Sequence, residues 1–341
     1  MTVFDRLFRR ERSAPVAVET KAAGVPAFGG FPAAGSHSSM AGLLVNQGSA
    51  MQVSAVHACV KIISADIAKL RPVLKRKVSK GRNEEVEDHP VATLLRRPNN
   101  QQSWFDFCRQ QTAAILLRGN GYAPVLRDGR GRPVSWLPVN PDRVQLLEST
   151  DGQLFYQVSR YGLWEMDALR TFDLAVPQED CFHIKDLGSS ALLGVSTIAL
   201  ARDAIALAMA QELMAASVAG NGARPAGVLT TPTKLDDKVA ARLKADWQNL
   251  HGGPGSAGKT AVLESGLEFK PISLSMVDAE FLAQRRFQIE DIARIFRVPM
   301  HMLNVLDRAT FANIEAQHQS YLSATLSTYI EMWVAPLDRF F

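Results

Sequence analysis

Residues 289–315, IEDIARIFRVPMHMLNVLDRATFANIE, decide how this chain is to be read, because they begin as a helix, turn sharply, and continue into what resembles a second helix. Ile289, Ile292, Ala293 and Phe296 recur at i, i+3, i+4 and i+7, which marks an amphipathic helix, and Val298-Pro299 predicts the turn that ends it. A helix-turn-helix reader of DNA would next present Arg, Asn, Gln or Ser to base edges. The segment that follows, MHMLNVL, has only His301 and Asn304 as polar residues and reads as mostly buried. Sequence-specific reading of DNA is therefore disfavoured.

Downstream, Asn313 to Phe341 predicts a long helix carrying Tyr321, Leu322, Leu326, Tyr329, Ile330 and Trp333, broken near Pro336, with Asn313 as its cap. Upstream, Asp278 to Phe296 is one helix, preceded by a small α/β insert. In that insert PAGVLTTP reads as a strand, DDKVAARLKADWQNLHGG as an acid-capped helix, and TAVLESGLEFKPISLS as two strands around Ser265-Gly266. The insert contains GPGSAGKT, Gly253 to Thr260, which fits GxxxxGK[ST] residue for residue. A phosphate-cradling loop needs a strand entering and a helix leaving, so that helix N-terminal N–H groups meet the phosphates. Here the order is reversed, and a Gly-Ser turn is the better reading of Lys259 and its neighbours.

Before the insert, Val195 to Ala219 lacks Gly and Pro, is dense in Ala, Leu, Ile and Met, and stops at Gly220-Asn221-Gly222. As a single helix it would be a rod of about 37 Å at ~1.5 Å per residue. Arg202, Asp203 and Glu212 argue against a membrane span, and the alanines suit close packing on several sides. The first half is α+β. Helices are expected from Val53 to Leu70, across HPVATLLRRPNN, and after Ser103 as a cap, followed by short strands and a hairpin at Asp128-Gly129. Residues 13 to 50 are rich in Ala, Gly, Ser and Pro and read as loosely draped, and MTVFDRLFRRER reads as a basic arm.

At 341 residues the chain is long enough for more than one core, and its formal net charge of +4 implies no polyanion partner over the whole surface. Cys59, Cys108 and Cys181 are far apart and never in a CxxC pair, which disfavours both a disulfide framework and zinc and suits a reducing cytoplasm. The seven histidines show no HExxH spacing, no GxSxG surrounds a serine, and no apolar run reaches the ~20 residues of a membrane helix. The expectation is a soluble non-enzyme with no cofactor, no metal and no membrane contact.

Seven segments, in order, carry a family resemblance: AVHACVKIISADIAKL, HPVATLLRRPN, LLRGNGYAPVLRDGRGRPVSWLPVNPDRV, FHIKD, NGARPAGVL, VLESGLEFKPISLSMVDAEFLAQRRFQIEDIARIFRVPMHML and TFANIE. They run from Ala55 to Glu315, and over roughly Val53 to Phe341 the chain resembles the portal (head-tail connector) proteins of tailed bacteriophages. The resemblance implies an α+β portal fold: a flexible arm at 1–50, a wing at 51–193, a first stem helix at 194–221, a clip at 222–275, a second stem helix at 276–298, a tunnel loop at 299–312 and a long wing helix at 313–341, with the usual crown absent or truncated. It also implies a ring, usually of twelve subunits, at one capsid vertex of the virion, assembled in the host cytoplasm. Double-stranded DNA would pass through it without being read during packaging and ejection, and terminase, major capsid, scaffold and head-completion (adaptor) proteins would bind it. Leu303, Asn304, Asp307, Arg308, Thr310 and Asn313 are the expected DNA-facing residues, with Arg308 as a transient phosphate contact offset by Asp307. Trp247, His251 and Lys259 are candidates for terminase docking. Arg297 stands where the family often has Gly before Val-Pro. Two other classes remain open: a P-loop packaging ATPase, which requires hydrolysis dependent on Lys259, and a helix-turn-helix regulator, which requires a dimer with a preferred operator.

Overall fold

The computed structural model describes residues 39–79, 82–172, 175–188, 190–220, 227–230, 232, 238–239, 241–243, 245, 268–271, 277–305 and 311–340. Its described residues divide into two units, one of 45–202 with 293–341 and one of 38–44 with 203–292.

The first unit is built on two helices. In α2 (Ser54–Ala68) Val56, Val60, Ile63 and Ile67, four of the five residues of the period read in the sequence, are buried with Cys59 on the face toward α4 (Trp104–Arg118), whereas the fifth, Leu70, lies past the helix end and is exposed. Before them comes a short turn of helix, α1 (Gln47–Ala50), whose N-cap Asn46 and Ser49 satisfy each other's backbone. Order thus begins earlier than the composition of 13–50 implied. Helix α3 (Pro90–Arg96) starts with proline at its first position, where the missing N–H costs nothing. Ser103 caps α4 as expected, its Oγ accepting from Asp106 N–H at 3.3 Å. The helix ends at Gly119, φ +75, where an added Cβ would lie 2.4 Å from the Val195 carbonyl oxygen, so only glycine fits.

Aromatic side chains fill the space beneath. Phe107 stacks on Trp136 at 5.3 Å, Trp136 on Phe182 at 5.1 Å, and Trp333 meets Trp104 edge-on at 5.5 Å. Trp333 Nε1–H donates to Thr112 Oγ1 at 3.2 Å. Strand β3 (Asn120–Arg127) opens with six buried residues in a row and lies between β4 (Pro133–Trp136) and β8 (Cys181–Lys185), both antiparallel to it. A second antiparallel sheet orders β5 (Val144–Glu148), β6 (Leu154–Val158) and β7 (Val176–Pro177). Its core joins Tyr122, Leu146, Tyr156, Val158 and Leu169. Between the sheets His183 is fully engaged: Nε2 lies 3.1 Å from Asn120 Oδ1, Nδ1 lies 3.2 Å from the Tyr156 hydroxyl, and the ring stacks on Tyr122 at 4.4 Å. Burial, aided by the Lys185 charge, lowers its pKa to about 3.

Two elements of this unit were not anticipated. The hairpin of β1 (Lys75–Ser79) and β2 (Arg82–Glu85) has every residue exposed and pairs Lys75 with Glu85 and Arg76 with Glu84 across its strands. The other is α5 (Gly162–Ala168). It turns its glutamate inward, where Glu165 takes a two-pronged ion pair from Arg143 at 2.6 and 2.8 Å.

The Ala-rich stretch is not the single rod expected. Ser196 caps a short helix, α6 (Thr197–Leu200), the chain loosens at Ala201, and α7 (Arg202–Gly220) begins anew, about 28 Å long at ~1.5 Å per residue. Ser196 Oγ–H also donates to the Leu117 carbonyl at 2.6 Å, which fixes the entry to α6.

In the second unit Met40 N–H donates to Asp203 Oδ1 in the first turn of α7. Strands β9 (Gly227–Thr230) and β10 (Glu268–Pro271) pair antiparallel, and α8 (Val277–Phe296) follows. Residues 238–239, 241–243 and 245 are helical, in keeping with the helix read in DDKVAARLK. The GPGSAGKT turn, Trp247, His251 and Lys259 lie outside the described residues. Among those described, no helix is long and apolar enough to cross a membrane.

The last helix also departs from expectation. It begins at Phe311 as α9 (Phe311–Tyr321), widens into a π-helical turn at Leu322–Leu326, and continues as α10 (Ser327–Phe340) straight through Pro336. Proline forfeits one backbone bond, and contacts on both sides hold the helix regardless: Trp333 is buried among the aromatics, and Phe340 packs edge-on to Phe182 at 5.7 Å.

Candidate functional site

The quoted stretch 289–315 becomes, in three dimensions, a helix end and an anchored turn. Of the four residues in the period, Ile292, Ala293 and Phe296 are buried and Ile289 is half-buried, and Val298 in the turn is buried as well. Helix α8 then closes with two bonds, Val298 N–H to the Ala293 carbonyl at 2.9 Å and Arg297 N–H to the Arg294 carbonyl at 3.2 Å. This is the Schellman closure, which requires a left-handed residue and usually takes glycine. Here it is Arg297, at φ +56. An L side chain in that region is disfavoured by about 1–2 kcal/mol. An offsetting contact is present, since Thr325 Oγ1–H, from the π-helical turn, donates to the Arg297 carbonyl at 2.8 Å. The Arg297 side chain is exposed and near Tyr329; burial raises the phenol's pKa, and the Arg297 charge only partly opposes this.

After Pro299 the chain makes one short 3-10 turn, Met300–Leu303, and Asn304 ends it at φ +60. This is not a recognition helix, because four residues cannot lay a row of side chains along a groove. Its His301 points inward, 9% exposed, with Nδ1 2.6 Å from Gln317 Oε1 and its ring edge-on to His318 at 4.5 Å. Because an amide oxygen only accepts, Nδ1 carries the proton. On the other side of the π-helical turn, the buried Tyr321 hydroxyl donates to Asp66 Oδ2 on α2 at 3.3 Å. Burial, then the neighbouring Asp66, pushes that phenol's pKa up.

Of the residues singled out for DNA, Leu303 is half-buried and Asn304 is exposed at the end of the anchored turn. Asp307, Arg308 and Thr310 lie outside the described residues. Asn313 is the third residue of α9 and so is not its cap, which corrects the sequence reading. Composition and motif gave no signal for Thr325, Gln317 or Asp66, and Tyr321 was read only as one of the residues carried by the last helix. Their roles depend on contacts between segments 16 to 255 residues apart.

The contacts His301–Gln317 and Thr325–Arg297 mount the turn on the last helix. Among the described residues no three of His, Cys, Asp and Glu are grouped as metal ligands. Burial raises the thiols, Cys59 and Cys108 to about 12 and Cys181 further still, so they are poor nucleophiles.

The family model described as "Phage portal protein" matches residues 54–341. This chain belongs to the phage portal protein family. The portal protein of Enterobacteria phage HK97 is 29% identical over 300 residues, which cover 86% of this chain and 68% of that one. A probable portal protein of Streptomyces phage phiC31 is 27% identical over 297 residues, covering 85% of this chain and 64% of that one. The chain therefore spans about two thirds of the length of these relatives. Among solved structures, a chain from the neck of a native gene transfer agent particle, computed with C12 symmetry, matches with a TM-score of 0.58 and 23% identity, over 86% of this chain and 79% of that chain. At that identity the likeness speaks for the fold. In this chain the stretch that resembled a DNA reader is a helix end with a clamped turn.

Proposed function

We propose that this chain assembles into a closed ring of twelve copies at one capsid vertex and that double-stranded DNA passes through its channel during packaging and ejection. The arrangement of parts follows: 51–193 as the wing, 194–221 and 276–298 as the stem, 222–275 as the clip, 299–312 as the loop facing the channel, and 313–341 as the helix behind it. Terminase would dock on the clip near Trp247, His251 and Lys259, with head-completion, capsid and scaffold proteins as further partners. The ring would be assembled in the host cytoplasm and reside in the virion.

The observation that carries this reading is the clamped turn after α8. A moving polymer needs a contact that is firmly mounted yet chemically indifferent to base, since base-specific bonds worth about 1–3 kcal/mol each would act as brakes. The mount is supplied by His301–Gln317 and Thr325–Arg297. The tip would consist of Leu303, Asn304, Asp307, Arg308, Thr310 and Asn313, one acid and one base among small or neutral residues, so contacts with phosphate would be few and weak. Electron microscopy of the full-length protein should reveal rings with a central hole, and removal of residues 306–309 should leave rings intact while particles fail to package or retain DNA. Monomers and dimers alone over a range of salt would overturn the ring, and normal packaging by the shortened loop would overturn its role.

A further inference from the structure

Three departures from regular backbone meet at the base of one loop. Among the described residues, Arg297 and Asn304 are the only non-glycine residues in the left-handed region, at φ +56 and +60. The only π-helical turn described, Leu322–Leu326, lies across from them. Thr325, within that turn and 3% exposed, is the residue whose hydroxyl bonds the Arg297 carbonyl. Backbone strain and π-helical turns both persist where the surroundings hold them in place, and they concentrate at working parts of proteins.

We propose that Thr325 and Arg297 form a positioning latch with two states, in which the Thr325 hydroxyl holds Arg297 left-handed and so sets the direction in which residues 298–305 leave α8. Without the bond, an L residue relaxes to the right-handed basin. Helix α8 then gains Arg297 and stops there, because Val298 precedes Pro299 and is steered away from helical angles. The following turn, anchored by His301, leaves the helix at a different angle. The π-helical turn is the matching half. Closing it to α-helix removes one residue of slack and rotates Thr325 by about 100° per residue shifted, taking its hydroxyl off the carbonyl. The two irregularities therefore stand or fall together. The exposed Arg297 guanidinium swings with its backbone, moving a positive charge relative to the loop that the proposed function places beside DNA. The latch rests on that reading only for this last consequence.

Hydrogen exchange on the intact, full-length protein tests it through the amides of Val298, Met302, Asn304 and Val305, which are bonded to the carbonyls of Ala293, Pro299, His301 and Met300. Thr325→Val keeps the shape and loses the donor, so exchange at these amides should rise by about two- to tenfold, the worth of one hydrogen bond. Thr325→Ser keeps the donor and should stay close to wild type. In an Arg297→Gly background the left-handed state has no penalty, so Thr325→Val should raise exchange by clearly less than in wild type. Equal effects of Val and Ser, or equal effects of Thr325→Val in both backgrounds, would overturn the latch. If Thr325→Val does not fold, Arg297→Gly and Arg297→Ala still decide: the latch requires slower exchange with Gly than with Ala, and identical exchange refutes it. DNA packaging by the same variants reports on the loop's proposed role, so the two readings fail separately.

Discussion

Helices α4 and α7 are of similar length, and both are well supplied with apolar residues, yet the chain treats them differently. In α4 Phe107, Cys108, Ile115, Leu116 and Leu117 are all buried by their own unit. In α7 Ile205, Ala206 and Ala208 are buried, while Leu207, Leu213 and Met214 remain 46%, 64% and 46% exposed. A helix that is apolar on more than one side is one that expects cover on more than one side. Helix α4 is completed within its unit; among the described residues α7 keeps apolar surface exposed, which adjacent copies would cover in the proposed ring.

The largest effect expected from this contrast is on unfolding. Phe107→Ala opens a cavity among stacked aromatics and should cost about 3–5 kcal/mol in denaturant titration, against under ~1 kcal/mol for Leu213→Ala. Equal costs would break the comparison.

Acid should also strike the α4 unit. His183 has its folded pKa depressed to about 3 from an ordinary value near 6.5, so the unfolded chain takes up a proton first. Stability from this group is complete above about 6.5 and is lost as pH falls from there towards 3, by at most about 1.4 kcal/mol per pH unit. Glu165 adds a lower limb: burial raises its pKa, but the Arg143 and Tyr161 hydrogen bonds and the Arg143 charge outweigh this, so its contribution disappears only below the ordinary carboxylate range. Thermal melts across pH should show the upper limb flattened in His183→Gln, and an unchanged limb would reject the assignment.

A smaller effect concerns the way α4 starts. Ser103→Ala removes the cap on Asp106 N–H and should lower stability by about 1 kcal/mol, while Ser103→Asp should retain most of it. The smallest effect on folding, under ~0.5 kcal/mol, is expected for Leu213→Glu combined with Met214→Glu. The same variant should nevertheless lose the high-mass species in sedimentation, and normal assembly would show that α7 is covered by something other than a neighbouring copy.

Much of this architecture was written locally. The buried period of α2, the cap at Ser103 and the Asp128-Gly129 turn are short-range signals, each legible because the physical demand and the residue that meets it lie within a few positions. So was the family, through the order of its motifs. The charged hairpin β1–β2 was not legible, because strands without alternation of apolar residues have no pattern to detect, and the register that sets Lys75 opposite Glu85 appears only once they pair.

Local sequence also made two wrong promises. It read an uninterrupted rod in the Ala-rich stretch, where a bond from Ser196 to the Leu117 carbonyl, 79 residues away, sets a separate helix start. It read a break at Pro336, where Trp333 and Phe340 are held by the aromatic core and carry the helix through. The candidate site divides in the same way. The amphipathic face of α8 and the Val298-Pro299 turn were determined by the sequence alone, because periodicity and proline sterics act within a few residues. The left-handed Arg297, the inward His301 and the π-helical turn were decided by tertiary structure, because their partners are brought near only through folding: Thr325, within the π-helical turn, for Arg297, Gln317 for His301, and Asp66 for Tyr321 beside that turn.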